Sequence, residues 1–230
     1  MRVFIYTLGC PKNLVDSQRV AARLEEEGHE LVNSPEEADL TLLNTCSFLQ
    51  EAVQEAWETA RELARSSPVA LVGCLPARYP KVKRVLGKPP EGWEGVLRLA
   101  DEVFQKQEGP RLVEPGPWAY LKVAEGCNRR CSFCVIPRIR GRLRSRPPEE
   151  VVAEAAALLA LGKVELVLVA QDLGLYGVDA GKSLAELLSE LDRLEGDFLI
   201  RLMYLNPGAL SAKLFRLLAS MDHLAPYLHV

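Results

Sequence analysis

The chain has 230 residues, is 48% hydrophobic and 26% charged, and carries a formal net charge of −3. That length admits one large domain or two ordinary ones, with enough apolar content for a packed core. The small net charge selects no class of partner, and no run of eighteen apolar residues is present to cross a membrane.

The opening stretch MRVFIYTLGCPKN is a short strand-like run that meets a proline and carries no cleavage-site pattern, so a secretory signal is not expected. The expected compartment is the cytoplasm, where six cysteines point to metal binding or catalysis rather than to disulfides. Arginine outnumbers lysine nineteen to nine, a lean toward a heat-adapted source that a GC-rich genome also produces.

Residues 3–8 (VFIYTL) read as a strand, and 13–27 as a helix with Val20, Ala21 and Leu24 on one face and Gly28 as its stop. LTLLN at 40–44 reads as a buried strand, 51–65 as a helix and VALVG at 69–73 as a third strand. Alternating strands and helices with nearly continuous apolar strands predict a parallel sheet covered on both faces. Breaks follow at 87–95 and 108–118, and the second, rich in proline and glycine, is the better linker. Beyond it, strands are expected at 119–124, 164–170 and 198–204, and helices at 148–160, 183–193 and 210–220. APYLHV at the end of the chain reads as the start of another strand. The organisation expected is a doubly wound α/β domain at 1–108, a linker at 109–118 and a second βα domain at 119–230.

The cysteines fall into two sets of three. Cys10, Cys46 and Cys74 each come just after a predicted strand. In a parallel sheet the carboxyl ends of the strands share one edge, where open α/β sheets bind ligands, so these distant residues should converge. Cys127, Cys131 and Cys134 follow the strand at 119–124 with the spacing C-x3-C-x2-C. A single cysteine is most often a small buried apolar residue; six at strand ends do not fit that pattern. Zinc would want a fourth Cys or His, and His29, His223 and His229 lie elsewhere in the sequence. Four-iron clusters held by three thiolates, with one iron left open, fit best.

Here a resemblance becomes specific. C-x3-C-x2-C after the first strand of a βα domain resembles the radical S-adenosylmethionine (SAM) enzymes. GCPKNLVDSQ at 9–18, NTCSF at 44–48, GCLPARY at 73–79 and CNRRCSFCVIPRIRGRLRSR at 127–146 resemble the methylthiotransferases of that class. GCPKN, IPRIRGRLRSRP and AQDLGLYG are similar to the ribosomal-protein (RimO-type) branch rather than to the relatives that act on isopentenyl-adenosine in tRNA. The resemblance implies a doubly wound parallel-sheet domain followed by part of a radical SAM (βα) partial barrel. It implies two 4Fe-4S clusters, on Cys10, Cys46 and Cys74 and on Cys127, Cys131 and Cys134, with SAM chelated at the open iron of the second and cleaved to a 5′-deoxyadenosyl radical. The implied reaction adds a methylthio group to the β-carbon of an aspartate in the twelfth small-subunit ribosomal protein, free or within the ribosome. A flavodoxin-like or ferredoxin-like electron donor is implied, and no membrane. The family continues beyond Val230, through further barrel units and a β-rich nucleic-acid-binding domain, so part of the SAM pocket is expected outside this sequence. A non-catalytic iron–sulfur or zinc protein that binds RNA stands as the reading from another class.

Other residues carry weaker signals. Seven arginines between 126 and 148, with no acid among them, read as a docking patch for an anionic partner or as a solvated face. Gln171 and Asp172 follow a strand at the same edge, where they are candidates for SAM contact; a capping role explains Asp172 as well. Asn13 and Asn44 flank the first cysteine set, and turn and cap duties explain them equally well. Tyr120, Tyr176 and the three tryptophans are expected in the core. No individual catalytic residue is assigned.

Overall fold

The computed structural model describes residues 1–106 and 109–230; the domain boundary expected at residue 108 lies outside the described residues. Two compact units, Met1–Val113 and Glu114–Val230, are each built on a parallel sheet.

The N-terminal unit runs β1 (Arg2–Thr7), α1 (Pro11–Glu26), β2 (Glu30–Leu31), β3 (Leu40–Thr45), α2 (Gln50–Leu63), β4 (Val69–Gly73), α3 (Cys74–Arg78), β5 (Val85–Leu86) and α4 (Trp93–Lys106). The strand order is β2-β1-β3-β4-β5, parallel except for β5, which pairs antiparallel with β4 at the edge. Every residue of β3 is buried, as its central position between β1 and β4 requires. Alternate residues serve opposite faces. Leu40 and Leu42 join Val20 and Leu24 of α1 and Val96, Leu99 and Val103 of α4 on one side. Leu43 joins Val53, Ala56 and Ala60 of α2 on the other. Helix α1 starts two residues before its expected N-terminus, because Pro11 fits the first helical position and Cys10 is extended (φ −99°). Helix α4, between the two proline-rich breaks, is an element that the sequence reading missed, although its apolar residues recur at helical spacing.

The second unit runs β6 (Trp118–Lys122), β7 (Ala124–Glu125), α5 (Ile136–Ile139), β8 (Arg144–Ser145), α6 (Pro148–Ala160), β9 (Glu165–Val169), α7 (Leu184–Leu191), β10 (Leu199–Leu202), α8 (Ala212–Leu218) and β11 (Leu224–Leu228). Four parallel strands lie in the order β11-β10-β9-β6. The expected run at 119–124 divides: β6 ends at Lys122, and β7 pairs antiparallel with β8 in a separate ribbon. Helix α6 opens with Pro148, Glu149 and Glu150, a favourable first turn. Helix α7 is capped by Ser183, whose Oγ accepts from the Glu186 amide. Tyr176 is core as expected, but Trp118 is half exposed at the start of β6. No helix among the described residues is long and apolar enough to cross a membrane.

Candidate metal centres

In the N-terminal unit, β1, β3 and β4 are adjacent and in register, with Thr7 opposite Asn44 and Thr45 opposite Gly73. Their carboxyl ends share one edge, and Cys10, Cys46 and Cys74 each come within three residues of that edge. Cys10 takes the N-cap position of α1. Cys74 opens the one-turn helix α3 directly after β4. Two glycines let the turns approach. Gly9 has φ +95°, and a Cβ there would sit 2.7 Å from Cys46 Cβ. Gly73 has φ +82°, and a Cβ there would sit 2.2 Å from Asn44 Oδ1. Thr45 Oγ1 donates to the Val72 carbonyl at 2.6 Å and accepts from the Leu75 amide at 3.0 Å. Ser47 Oγ donates to the Cys74 carbonyl at 2.9 Å. The Cys46 and Cys74 turns are thereby fastened to each other on both sides.

In the second unit the cysteine loop starts from a buried charge cluster. Glu125 Oε2 lies 2.5 Å from Lys122 Nζ and 3.2 Å from Arg140 Nη1, and its Oε1 accepts from the Gly126 amide at 3.0 Å and from Gln171 Nε2. Burial alone would push this carboxyl up, but Lys122 and Arg140 outweigh it and hold it well below the usual carboxylate range. Gly126 (φ +74°) leaves no room for a side chain, since a Cβ would lie 2.1 Å from the Arg142 carbonyl oxygen. The Cys127 amide donates to the Gly141 carbonyl at 3.2 Å, and Asn128 Oδ1 accepts from the Leu143 amide at 3.1 Å. Cys127 is buried, Cys134 half-buried and Cys131 exposed. Burial pushes the Cys127 thiol up; the Arg129 amide, 3.4 Å from its Sγ, opposes the rise, while Asp172 and Cys134 add to it.

Gln171 and Asp172, at the carboxyl end of β9, both reach this loop region. Gln171 bonds Glu125, and its Oε1 is buried without a hydrogen-bond partner. Asp172 is ion-paired to Arg129 and caps the turn at Leu173–Leu175 by accepting from the Gly174 amide at 3.1 Å. Of the seven arginines, Arg129, Arg140 and Arg146 are committed to Asp172, Glu125 and Glu154. Arg130, Arg138, Arg142 and Arg144 are exposed.

All six cysteines are free thiols. Among the described residues, no three His, Cys, Asp or Glu side chains converge as ligands of one ion. Ligands of a single tetrahedral zinc would sit about 3.8 Å apart, given Zn–S bonds of ~2.3 Å. A cluster instead takes one thiolate at each of three separate irons. Three thiols on neighbouring turns, or on one anchored loop, are a donor set of that second kind, so the residues present fit a cluster in each unit. The unpartnered Gln171 Oε1 fits a ligand that brings an N–H or O–H donor.

Residues 121–230 match the radical SAM superfamily and residues 2–91 match a family described as UPF0004. A protein named ribosomal protein uS12 methylthiotransferase RimO from Moorella thermoacetica is 41% identical over 99% of this chain and 59% of its own length. Its namesake from Aquifex aeolicus is 42% identical over 100% of this chain and 55% of its own length. Nearly the whole chain is thus similar to methylthiotransferases, and its second unit matches the radical SAM superfamily. The chain spans 55–59% of the length of these two relatives. A Thermus thermophilus namesake is 45% identical over 78% of this chain and 45% of its own length. Among solved structures, the radical SAM methyltransferase TsrM from Kitasatospora setae, with cobalamin and a [4Fe-4S] cluster bound, covers 95% of this chain and 58% of its own. Its TM-score is 0.58 at 18% identity, which shows a shared fold.

The motifs did not reveal Glu125, Lys122 and Arg140, or the close approaches at Gly9, Gly73 and Gly126. One signal was available for the first two: Lys122 and Glu125 are charges inside the otherwise apolar run AYLKVAEG.

Proposed function

We propose that this chain carries the two cluster-binding units of a radical SAM methylthiotransferase that replaces a hydrogen on the β-carbon of an aspartate in ribosomal protein uS12 with a methylthio group. The observation that carries this reading is the presence, in one chain, of two three-cysteine sets, each at the carboxyl edge of a parallel α/β unit. An unactivated C–H bond is beyond any side-chain base, and transferred sulfur needs a carrier. Two centres with different tasks meet both needs. With SAM bound, an iron–sulfur centre supplies the one-electron chemistry that breaks such a bond.

Cys127, Cys131 and Cys134 hold the SAM-binding 4Fe-4S cluster, and Cys10, Cys46 and Cys74 hold a second that serves sulfur delivery. Gln171 offers Oε1 to a donor on SAM, with its amide nitrogen fixed on Glu125. Asp172 lies beside it and, through its ion pair with Arg129, ties the cysteine loop to the end of β9. The exposed Arg130, Arg138, Arg142 and Arg144 offer positive charge to an anionic partner next to the same loop. The names of the relatives support uS12 as the substrate, free or within the ribosome, with a flavodoxin-like or ferredoxin-like donor of electrons in the cytoplasm.

The test is anaerobic reconstitution of the chain, followed by assay of the full-length enzyme. About eight irons per chain, from two four-iron clusters, and a gain of ~46 Da on uS12 are expected. One metal per chain with no SAM cleavage would favour the non-catalytic RNA-binding reading, and methylthiolated adenosine with unmodified uS12 would favour tRNA.

A further inference from the structure

Asn13 and Asn44 are buried, at 0% and 1% exposure, and neither caps a helix or makes a turn. Asn13 stands in the first turn of α1 and Asn44 near the end of β3. The second is a poor place for asparagine on propensity alone. Their hydrogen bonds explain the choice. Asn13 Nδ2 donates to the Leu8 carbonyl at 2.8 Å and to the Thr45 carbonyl at 3.1 Å. Asn44 Nδ2 donates to the Asn13 carbonyl at 2.8 Å and to Ser17 Oγ at 2.9 Å. A primary amide has two N–H donors, and here all four are spent on joining β1, the start of α1 and the end of β3. Because both acceptors of Asn13 Nδ2 are carbonyls, the amide cannot be flipped, and its Oδ1 is left facing Cys10 Sγ at 3.9 Å.

The remaining oxygen completes the arrangement. Asn44 Oδ1 is buried with no hydrogen-bond partner. It lies in the direction a Gly73 side chain would take, 2.2 Å from an ideal Cβ, so a Gly73 Cα hydrogen points at it. A buried carbonyl with only a Cα–H neighbour is costly, and its presence asks for a reason. The reason is its place: Gly73 is the residue before Cys74. Two amides thus lock the turn that carries Cys10 to the end of β3 that carries Cys46, Asn44 Oδ1 packs against Gly73, and Thr45 and Ser47 bond the Cys74 turn to that same end of β3.

We propose that Asn13 and Asn44 are positioning residues, forming an amide clamp that sets the mutual spacing of the three N-terminal thiols before any metal arrives. This rests on the reading of those cysteines as a cluster-binding set. The clamp removes the cost of ordering three separate turns at the moment of assembly. Its N–H groups bond backbone carbonyls and Ser17 rather than sulfur, so it acts on the thiols through the turns that carry them.

The test uses the full chain with Cys127, Cys131 and Cys134 changed to Ala, so that only the N-terminal set can load. Three further substitutions are compared in that background: Asn44→Ala, the milder Ser17→Ala, and the core control Leu24→Ala. In the metal-free protein, amide exchange at Leu8 and Leu75, whose N–H groups bond the β3 end, should quicken roughly tenfold in Asn44→Ala. Ser17→Ala should give a smaller rise. Leu24→Ala should speed exchange across the whole sheet without singling out these amides. After reconstitution with iron and sulfide, Asn44→Ala and Ser17→Ala should shift the electron paramagnetic resonance signature of the reduced cluster or lower its occupancy. Leu24→Ala should leave the signature unchanged. Unaltered exchange at Leu8 and Leu75 together with an unaltered signature in both clamp variants would overturn the proposal. If the parent takes up no iron while exchange still responds as expected, the clamp stands and the reading of the cysteines falls.

Discussion

Glu125 lies two residues before Cys127, with its carboxylate shared by Lys122, Arg140, Gln171 and the Gly126 amide. Removing its charge while keeping its shape should leave the fully buried Lys122 facing a neutral group. Glu125→Gln is expected to cost about 3–5 kcal/mol, read from urea unfolding. The sign with pH follows from the depressed carboxyl. Its contribution is complete above the unfolded value of about 4.3 and fades as pH falls toward the folded value of about 2. The loss of stability on acidification through that window should therefore be smaller in Glu125→Gln than in the parent. Gly126 gives a second prediction at this scale. Gly126→Ala forces a Cβ against the Arg142 carbonyl at a positive φ, so it should misplace Cys127 and lower iron uptake by the C-x3-C-x2-C loop, measured per chain after reconstitution. The same clash explains why the residue before this cysteine has no side chain.

Among elements, α4 shows how much of the N-terminal unit rests on a helix that its flanking prolines hide. Val96, Leu99, Ala100 and Val103 close one face of the sheet against Leu40, Leu42 and α1. Leu99→Ala is expected to cost about 2–5 kcal/mol, measured as a drop in the unfolding midpoint. The ion pair that also ties α4 to the sheet, Arg84 with Asp101 at 2.8 Å, is about one-third exposed on both sides. Its loss in Arg84→Ala should cost under about 1 kcal/mol by the same measurement. Apolar packing, not the charge pair, holds α4 in place. The arginine-rich segment is also an element with two tasks. Arg129 and Arg140 tie the segment to Asp172 and Glu125, Arg146 pairs with Glu154 of α6, and the exposed four remain for a partner. Substituting Arg138 and Arg142 together should weaken partner binding in a salt-dependent way with little change in stability, whereas Arg140→Ala should destabilise.

For the whole molecule, two three-cysteine sets on two separately packed units predict separable defects in the full-length enzyme. Cys131→Ala should abolish SAM cleavage. Cys46→Ala should abolish methylthio transfer yet still allow cleavage to 5′-deoxyadenosine, followed by chromatography. Equal loss of cleavage in both would defeat the division of labour. Much of this architecture was legible beforehand, because apolar strands alternating with 3.6-residue helical stripes leave few folds open, and parallel strands bring their carboxyl ends to one edge. That argument located Cys10, Cys46 and Cys74 at a shared edge before any coordinate. Elements held by few residues were not legible: β2, β5 and the β7–β8 ribbon contribute two residues each, too short to show a period.

The sequence by itself determined the two α/β units, the cysteine spacing and the family, since periodicity and motif are local and written in residue order. The tertiary structure alone decided the rest. It made Asn13 and Asn44 the joint between the start of α1 and the end of β3, buried Glu125 between two cations, and divided seven arginines into paired and exposed charges. Those roles depend on which groups meet across the fold, where burial makes an unpaired donor or charge costly and so selects its partner, and no pattern along the chain records that meeting.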